Sequence, residues 1–297
     1  MKPPRFEYAA PTSVAEAVAL LQQHEGEAKV LAGGQSLMPL LNMRLARPSL
    51  VIDLGKLKEL KYIRESDGML AIGAMTTKRT VEDSSLVQSR QPLLHAATVL
   101  IGHQQIRNRG TVGGSIAHAD PAAEYPALTV ALEAQLRAVG PGGTRTIPAA
   151  DFFVSYLTTA LEAAEILTEA RFPVLAPRTG WSCLEIARRH GDFAMTGVVT
   201  TVTLDGGGTC SAARLAVFGV GPTPLRPQAA EQVLLGTKPT EAVFAEVARK
   251  VNEAIEEPLS DVHASAEYRR HLAQVLTRRA LAEACARAQA AAAGTRT

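Results

Sequence analysis

The sequence predicts an α+β protein with a small α/β unit first, an antiparallel sheet second, and a sheet with helices last. Near the N-terminus, a segment of helical periodicity precedes two short apolar strands. From about residue 60, strand segments are joined by short glycine-containing turns, which is typical of antiparallel pairing. The final third contains three β segments followed by two helical segments. A chain of 297 residues is long enough for two or three such units, each with its own core.

The first unit is predicted to open with a helix over residues 12–24, because Ser13 and Glu16 have the spacing of a capping box. Residues 28–32 and 50–54 are predicted to be short buried strands. Ligands of open α/β sheets bind beyond the carboxyl ends of the strands, and a glycine pair follows the first of these two. The apolar face of the helix is formed by Val14, Ala17, Val18 and Leu21.

The second unit is predicted to be an antiparallel sheet with helices. Asp67-Gly68 lies between apolar runs at 62–64 and 69–73, which indicates a hairpin. The other predicted elements are helices over 92–101 and 121–136, and strands over 137–139 and 166–172 that bracket a turn at 140–143.

The third unit is predicted to begin after residues 173–177 (Pro-Val-Leu-Ala-Pro), the best linker candidate in the chain. Its predicted elements are β segments over 181–189, 195–204 and 211–220, and helices over 240–255 and 266–293.

Composition argues against several classes of function. Lysine and arginine number 31 against 29 aspartates and glutamates, so the net charge is +2 and nucleic acid is not the expected partner. No apolar stretch reaches the length of a membrane span, about 18 residues or more. The first six residues lead into no apolar signal core, and a cytoplasmic location is expected.

The cysteine and histidine patterns predict no metal site. Cys183, Cys210 and Cys285 lie far apart and form no C-x-x-C pair, so neither a zinc nor an iron–sulfur framework is encoded. The three cysteines are predicted to be buried small apolar residues rather than disulfide partners.

Two glycine pairs are the main candidates for ligand binding. They lie in the runs Ala32–Ser36 (Ala-Gly-Gly-Gln-Ser) and Thr111–Ser115 (Thr-Val-Gly-Gly-Ser). Each pair alone is explained by a simple turn. Paired glycines also let a backbone approach a ligand closely, and successive free N–H groups beside a hydroxyl form a concavity for an anion. Two such loops brought together would hold both phosphates of a dinucleotide.

Charged side chains flank the second pair. Arg107 and Arg109 either contact a phosphate or hold the loop through carboxylates. Asp120 and Glu124 are candidates to accept hydrogen bonds from ribose hydroxyls or an adenine amine. Asp120 is equally explained as a helix N-cap, since Pro121 follows at the preferred first helical position.

Other familiar motifs are absent from the sequence. No G-x-G-x-x-G opens a strand–helix unit, and no G-x-x-x-x-G-K-[ST] phosphate loop occurs, so a Rossmann NAD site is not predicted. The run Gly34–Met38 lacks the second glycine of a G-x-S-x-G elbow, which argues against a serine hydrolase.

Taken together, these segments resemble the FAD-binding medium subunit of molybdenum hydroxylases, of the carbon monoxide dehydrogenase and xanthine dehydrogenase type. The resemblance covers nearly the whole chain. It is carried by residues 6–11, the run 106–115, the Ala119-Asp120-Pro121 that follows, residues 188–194 and residues 219–226.

The resemblance implies a PCMH-type, vanillyl-alcohol-oxidase-like FAD-binding fold over residues 1–175, with subdomains at about 1–57 and 58–175. It further implies a C-terminal domain of the carbon monoxide dehydrogenase flavoprotein type over residues 176–290. That domain is expected to be a small antiparallel sheet with helices.

FAD is the implied cofactor, with its pyrophosphate between the two glycine runs. Glu124 matches an acidic residue that contacts the adenosine part, Leu167 an adenine-side contact, and Ile101 a residue near the flavin. The resemblance assigns no catalytic side chain, no metal ligand and no role to Trp181–Glu185. The predicted cofactor-binding residues are Leu31, Ala32, Gly33, Gly34, Gln35, Ser36, Ile101, Thr111, Val112, Gly113, Gly114, Ser115, Asp120, Glu124 and Leu167.

The implied role is electron transfer within a complex. Molybdopterin is expected on a large partner subunit and [2Fe-2S] clusters on a small one, in a dimer of heterotrimers. A flavin accepts single electrons from such clusters and delivers a pair to NAD, a quinone, a cytochrome or oxygen. Carbon monoxide, purines, nicotine-like heterocycles and aromatic thioesters all remain open as substrates of the complex.

Two other functions fit the same loops. The first is a self-sufficient FAD oxidase or reductase acting on a small organic substrate, against which the lack of an evident substrate-side acid or base counts. The second is a non-catalytic assembly or ligand-sensing module that keeps the fold and binds nucleotide without redox turnover.

Overall fold

The structure is a computed structural model that describes residues 2–24 and 26–294, with side chains described as far as residue 291. Within these ranges the chain forms thirteen strands, twelve α-helices and two short 3-10 helices at Leu54–Lys56 and Lys58–Leu60. The strands are β1 Glu7–Ala9, β2 Ala28–Leu31, β3 Leu50–Asp53, β4 Ile63–Ser66, β5 Met69–Gly73, β6 Gln135–Gly140, β7 Gly143–Pro148, β8 Phe153–Ser155, β9 Thr158–Thr159, β10 Ile166–Pro173, β11 Thr179–Ile186, β12 Thr196–Leu204 and β13 Cys210–Phe218. The helices are α1 Val14–Gln23, α2 Leu37–Asn42, α3 Lys78–Asp83, α4 Ser85–Arg90, α5 Pro92–Leu100, α6 Gln104–Arg109, α7 Val112–His118, α8 Glu124–Ala131, α9 Ala149–Phe152, α10 Gln228–Leu234, α11 Glu241–Ala254 and α12 Ala266–Gly294.

The first unit is a three-stranded parallel sheet in the order β1-β3-β2, with α1 against it. The hydroxyl of Ser13 caps α1 by accepting from the N–H of Glu16 at 3.2 Å. The Glu16 carboxylate accepts from the N–H of Thr12 at 2.7 Å, so the reciprocal half of the predicted capping box lies one residue earlier than expected. The predicted apolar face is buried at Ala17, Val18 and Leu21.

The second unit is a five-stranded antiparallel sheet in the order β4-β5-β10-β6-β7. The predicted hairpin joins β4 and β5, and Asp67 and Gly68 both adopt positive φ (53° and 69°), as its turn requires. The turn at 140–143 joins β6 to β7, a strand that the sequence did not predict. β6 also pairs with β10, so the predicted antiparallel neighbours are confirmed.

The helix predicted over 121–136 is much shorter in the structure, where α8 spans Glu124–Ala131. At its start, Asp120 Oδ1 accepts from the N–H of Ala122 at 2.9 Å, which makes a turn before the helix. At its end, Glu133 adopts a φ of 52° and the chain enters β6. Asp120 is therefore not the helix N-cap, a position that Ala123 takes.

The third unit is a three-stranded antiparallel sheet in the order β11-β12-β13, close to the three predicted β segments. Helices α11 and α12 form a core with one face of this sheet, and α5 and α8 lie against the other face. Both predicted C-terminal helices are present, while α10 was not predicted. Among the described helices, none is long and apolar enough to cross a membrane.

Candidate functional site

The first glycine pair forms a loop between β2 and α2 with unused backbone donors. Gly34 has a φ of 74°, a conformation that favours glycine. In the part of the chain that the structure describes, the N–H groups of Gly33, Gly34, Gln35 and Ser36 donate no hydrogen bond to protein, while Gln35 Nε2 braces the loop by donating to the carbonyl of Gly33 at 3.1 Å. Successive free N–H groups in such a turn form an anion-binding concavity.

The second glycine pair lies in the first turn of α7, although the sequence predicted a loop. Its backbone donors are already used within the protein, so the expectation of a second set of free N–H groups is wrong. Gly113 donates to the carbonyl of Ala74 at 2.8 Å, and Gly114 donates to the Thr111 hydroxyl at 3.0 Å. The glycines of this segment therefore allow neighbouring segments to pack closely against it, and Ser115 adds a hydroxyl group. The segment does not form a backbone concavity for an anion.

The two glycine runs pack directly against each other. A Cβ on Gly33 would lie 2.7 Å from the Cα of Gly110, and a Cβ on Gly114 would lie 3.1 Å from the Cβ of Ala32. A Cβ on Gly113 would lie 2.8 Å from the Cα of Ala74. The glycines are needed here because any side chain would push the two loops apart.

The loops open onto a cavity of about 710 Å³ at the junction of all three units. This volume lies in the range of small-molecule and cofactor sites. Thirteen of the fifteen predicted residues line it, and two do not: Leu31 ends β2 beneath the first loop, and Val112 is fully buried in the core. The lining predicted residues are Ala32, Gly33, Gly34, Gln35, Ser36, Ile101, Thr111, Gly113, Gly114, Ser115, Asp120, Glu124 and Leu167.

Two buried ionisable groups face the cavity. Burial raises the pKa of Glu124 to about 7, although the positive charge of Lys78 acts in the opposite direction. Burial lowers the pKa of Lys78 to about 8, with Glu124 opposing the shift and Arg107 adding to it. Burial likewise lowers the pKa of His118, the last residue of α7. The sequence singled out Glu124 alone, because nothing in its pattern indicates that a lysine at the start of α3 is buried.

The two flanking arginines differ in role. Arg107 forms a two-bond pair with the Glu82 carboxylate, at 2.9 and 3.3 Å. Its Nη1 also donates to the carbonyls of Ile101 and Gly102, both at 3.2 Å. Arg107 therefore holds the loop through a carboxylate, the second of the two predicted alternatives. The backbone of Arg109 packs against Gly33, and no ion pair of its side chain is found in the described chain.

Sequence reasoning missed residues that the third unit brings to the cavity. Gly191, Asp192 and Phe193 line it, and the Phe193 side chain is 71% exposed. Gly191 has a φ of 84° and packs against the ring of His103, which fixes this segment beside the Ile101 loop. Phe193 follows the Arg188-Arg189 pair, and the sequence assigned it no role at the site.

Two family models match the chain. The FAD binding domain in molybdopterin dehydrogenase matches residues 4–175, and the CO dehydrogenase flavoprotein C-terminal domain matches residues 182–284. Together they cover nearly the whole chain. The fold and the loop pair thus define an FAD-binding subunit of an oxidoreductase.

Individual relatives support the same class. The carbon monoxide dehydrogenase medium chain of Hydrogenophaga pseudoflava is 44% identical over 97% of this chain and 99% of its own length. The alpha subunit of the 6-hydroxypseudooxynicotine dehydrogenase complex of Paenarthrobacter nicotinovorans is 41% identical over 97% of each protein. The solved carbon monoxide dehydrogenase of H. pseudoflava matches with a TM-score of 0.94 at 44% identity, covering 97% of this chain and 99% of that chain.

The chain belongs to the FAD-binding medium subunits of molybdenum hydroxylases, of the carbon monoxide dehydrogenase and xanthine dehydrogenase type. The resemblance inferred from the glycine runs and their flanking segments is confirmed, as is the α+β fold with its FAD-binding and C-terminal units.

Proposed function

We propose that the cavity binds FAD, with the pyrophosphate on the free N–H groups of Gly33–Ser36. The observation that carries this assignment is a run of four residues with unused backbone donors that lines the cavity together with the second glycine run. The hydroxyl of Ser115 lies beside the same space and supplies a further donor. The thirteen predicted residues that line the cavity are the proposed contacts, with Leu31 and Val112 supporting the loops from behind.

We propose an orientation of the cofactor from two groups of lining residues. Glu124 and Leu167 are proposed to lie toward the adenosine part, as the family resemblance implies. Ile101 and Phe193 come from segments that pack together through His103 and Gly191, and we propose these two residues as neighbours of the flavin ring. An aromatic side chain and a branched apolar one suit the faces of a planar ring.

The proposed role of the chain is electron transfer in a heterotrimeric molybdenum hydroxylase. When bound, FAD would supply the exchange between single electrons and electron pairs, and the chain would supply binding, orientation and electrostatics. We propose partners that carry molybdopterin on a large subunit and [2Fe-2S] clusters on a small one, in a dimer of heterotrimers in the cytoplasm. The support is that relatives are named as the medium or alpha subunits of such enzymes.

We also propose a division of the chain into two domains. We place the FAD-binding domain at residues 1–175, with subdomains at about 1–57 and 58–175, and the C-terminal domain at 176–290. In support, β10 ends at Pro173 and β11 begins at Thr179 in a separate sheet.

The test is FAD uptake by the full-length chain. Wild type is expected to bind one FAD per chain non-covalently and to be yellow. Gly33→Val is expected to lose FAD, because a side chain at this position meets the backbone of Gly110. Gly142→Ala is the matched control, since a Cβ there meets nothing within 4 Å and FAD binding should be unchanged.

Two outcomes would contradict the proposal. A correctly folded wild type that takes up no FAD would exclude the cofactor assignment. Oxidation or reduction of a small organic substrate by the isolated FAD-loaded chain would favour the self-sufficient enzyme over the electron-transfer subunit. Electron acceptance by FAD only when the iron–sulfur partner is present would support the subunit role.

A further inference from the structure

Lys78 brings a positive charge to the cavity from a buried position. It is the first residue of α3, it is only 8% exposed, and it lines the cavity with both glycine runs. The ion pairs found among the described residues do not include Lys78, although buried charges in proteins are normally paired. A buried lysine that lines a ligand cavity without an ion-pair partner suits an anionic ligand group.

Its side chain lies next to the point where the two glycine runs meet. The Cδ and Cε of Lys78 are 3.5 and 3.6 Å from the position that a Cβ on Gly110 would take. The backbone N–H of Lys78 donates to the carbonyl of Gly110 at 2.8 Å, and the Cα of Gly110 in turn abuts Gly33. Lys78 is thus anchored to the same backbone that supports the free donors of the first loop.

Charged and aromatic groups surround this ammonium group on three further helices. Glu124 and Tyr125 face it from α8, with Lys78 Nζ 5.5 Å from the centroid of the Tyr125 ring. Arg107 acts on it from α6, and it acts in turn on His118 of α7. Burial lowers the pKa of Lys78 more than the negative charge of Glu124 raises it. The charged form of Lys78 is therefore less favourable in the protein alone than it is in water.

We propose that Lys78 supplies the positive charge that pairs with the pyrophosphate of FAD bound on the Gly33–Ser36 loop. This inference rests on the proposed FAD site. Backbone N–H groups donate hydrogen bonds but carry no net charge, so a nearby cation stabilises a dianionic pyrophosphate further. Lys78 then makes the site selective for an anionic dinucleotide over an uncharged flavin.

The first experiment compares ligands with and without phosphate. The full-length apo chain is titrated with FAD, ADP and riboflavin as wild type, Lys78→Met and Lys78→Arg. Lys78→Met is expected to weaken FAD and ADP binding by about tenfold or more, the effect of losing a charge-assisted hydrogen bond. Riboflavin binding should stay unchanged, and Lys78→Arg should retain most of the FAD affinity.

Lys238→Met is the control, because Lys238 is exposed and does not line the cavity. An exposed ammonium group outside the site is screened by solvent, so its loss should leave the Kd of FAD nearly unchanged. An equal loss in Lys238→Met and Lys78→Met would contradict a specific role of Lys78.

The second experiment uses pH and needs no destabilising variant. An anion raises the pKa of the lysine that it contacts, so binding is strongest below the free pKa of about 8 and weakens as pH rises above it. The Kd of wild type for FAD should therefore increase between pH 8 and 9.5, and binding at pH 8 should take up protons. Lys78→Arg should bind FAD with less proton uptake than wild type, because the guanidinium group stays charged and only neighbouring groups such as Glu124 can still take up protons.

The outcomes separate this inference from the function on which it rests. Failure of wild type to bind FAD would overturn the FAD site itself. FAD binding that Lys78→Met leaves unchanged, or a loss that riboflavin shares equally, would overturn only the role of Lys78. If Lys78→Met does not fold, proton uptake in Lys78→Arg equal to that of wild type overturns the role, and reduced uptake in that variant supports it.

Discussion

Glu124 is a carboxyl group that the fold buries at the cavity wall, where its ionisation lowers the stability of the folded state. It is 7% exposed, and burial raises its pKa to about 7. Glu185 of β11 faces it across the junction of the second and third units, and burial followed by the charge of Glu124 raises the pKa of Glu185 to about 8. The Oε2 atom of Glu185 has no hydrogen-bond partner. Such unfavourable placement is typical of residues kept for ligand binding rather than stability.

Glu124→Gln is therefore expected to stabilise the apo chain in a pH-dependent way. The folded-state pKa of Glu124 lies above its ordinary value, so its cost to stability begins above the ordinary pKa near 4.5 and is complete above about 7. The Tm of Glu124→Gln should match that of wild type near pH 4.5 and exceed it increasingly up to pH 7. Thermal melts of both apo proteins between pH 4.5 and 8.5 check this.

The same substitution should weaken FAD binding, because an amide accepts hydrogen bonds less strongly than a carboxylate. A constant Tm difference across this pH range would contradict the buried-charge explanation.

At the scale of the element, α12 packs unusually close to β11. A Cβ on Gly180 of β11 would lie 2.9 Å from the carbonyl carbon of Ala284, so strand and helix backbones are nearly in contact. Small residues at the interface permit this approach, and the helix positions concerned are fully or almost fully buried. The small buried residues of α12 are Ala273, Ala280, Ala284, Cys285 and Ala288.

Gly180→Ala should consequently destabilise the C-terminal unit. One added methyl group must displace helix backbone, and overpacking of this kind costs about 1–3 kcal/mol. The free energy of unfolding in denaturant measures the effect. Gly207→Ala, in the exposed turn before β13, is the control, because its Cβ would meet nothing closer than 3.4 Å. Equal free energies of unfolding of the two variants would show that α12 shifts to accommodate the added methyl group without loss of stability.

The second glycine run shows how packing overrides local preference in an element. Glycine is about 1 kcal/mol less favourable than alanine in a helix, so a pair of glycines predicts a loop. Gly113 and Gly114 nevertheless begin α7, because their missing side chains let the helix approach Ala74 and Ala32. The contact that makes the helix possible lies outside its own sequence.

At the scale of the whole molecule, contacts between the second and third units hold together residues from both units that line the cavity. Glu133, at the end of α8, accepts from Arg214 Nη2 and from Arg226 Nη1, both at 2.8 Å. The N–H of Gly219 donates to the carbonyl of Pro121 at 2.8 Å across the same junction. Since Phe193 reaches the cavity from the third unit, these contacts help to position one wall of the site.

Glu133→Gln should lower stability modestly and in a pH-dependent way. Burial alone would raise the pKa of Glu133, but hydrogen bonds from Arg226 and Arg214 outweigh it and hold the pKa below the ordinary value. The stabilisation is therefore present above the ordinary pKa and is lost as pH falls through the lowered one. Because the carboxylate is half-exposed, we expect less than about 1 kcal/mol at pH 7.

Thermal melts at low and high salt test the ion pairs of Glu133 with Arg214 and Arg226. The difference between wild type and Glu133→Gln should shrink in high salt and vanish at acid pH. Glu253→Gln, which removes two ion pairs within α11, is the control for ion pairs that do not connect separate units. A Glu133→Gln effect that is independent of both salt and pH would contradict the ionic bridge.

The sequence by itself determined the local elements and the chemical character of the site. Capping and periodicity located α1, Asp67-Gly68 located a hairpin, and the two glycine runs indicated the segments that line the cavity. These features depend on neighbours within a few residues, which is why a linear pattern can contain them. Together with their flanking segments they also identified the family.

Only the tertiary structure decided which backbone donors are free and which charges are buried. The N–H groups of Gly113 and Gly114 are used because Ala74 and Thr111 accept from them. Lys78 and Glu124 have perturbed pKa values because segments distant in the chain exclude water around them. Burial and hydrogen-bond partnership depend on contacts between units, so no local pattern records them.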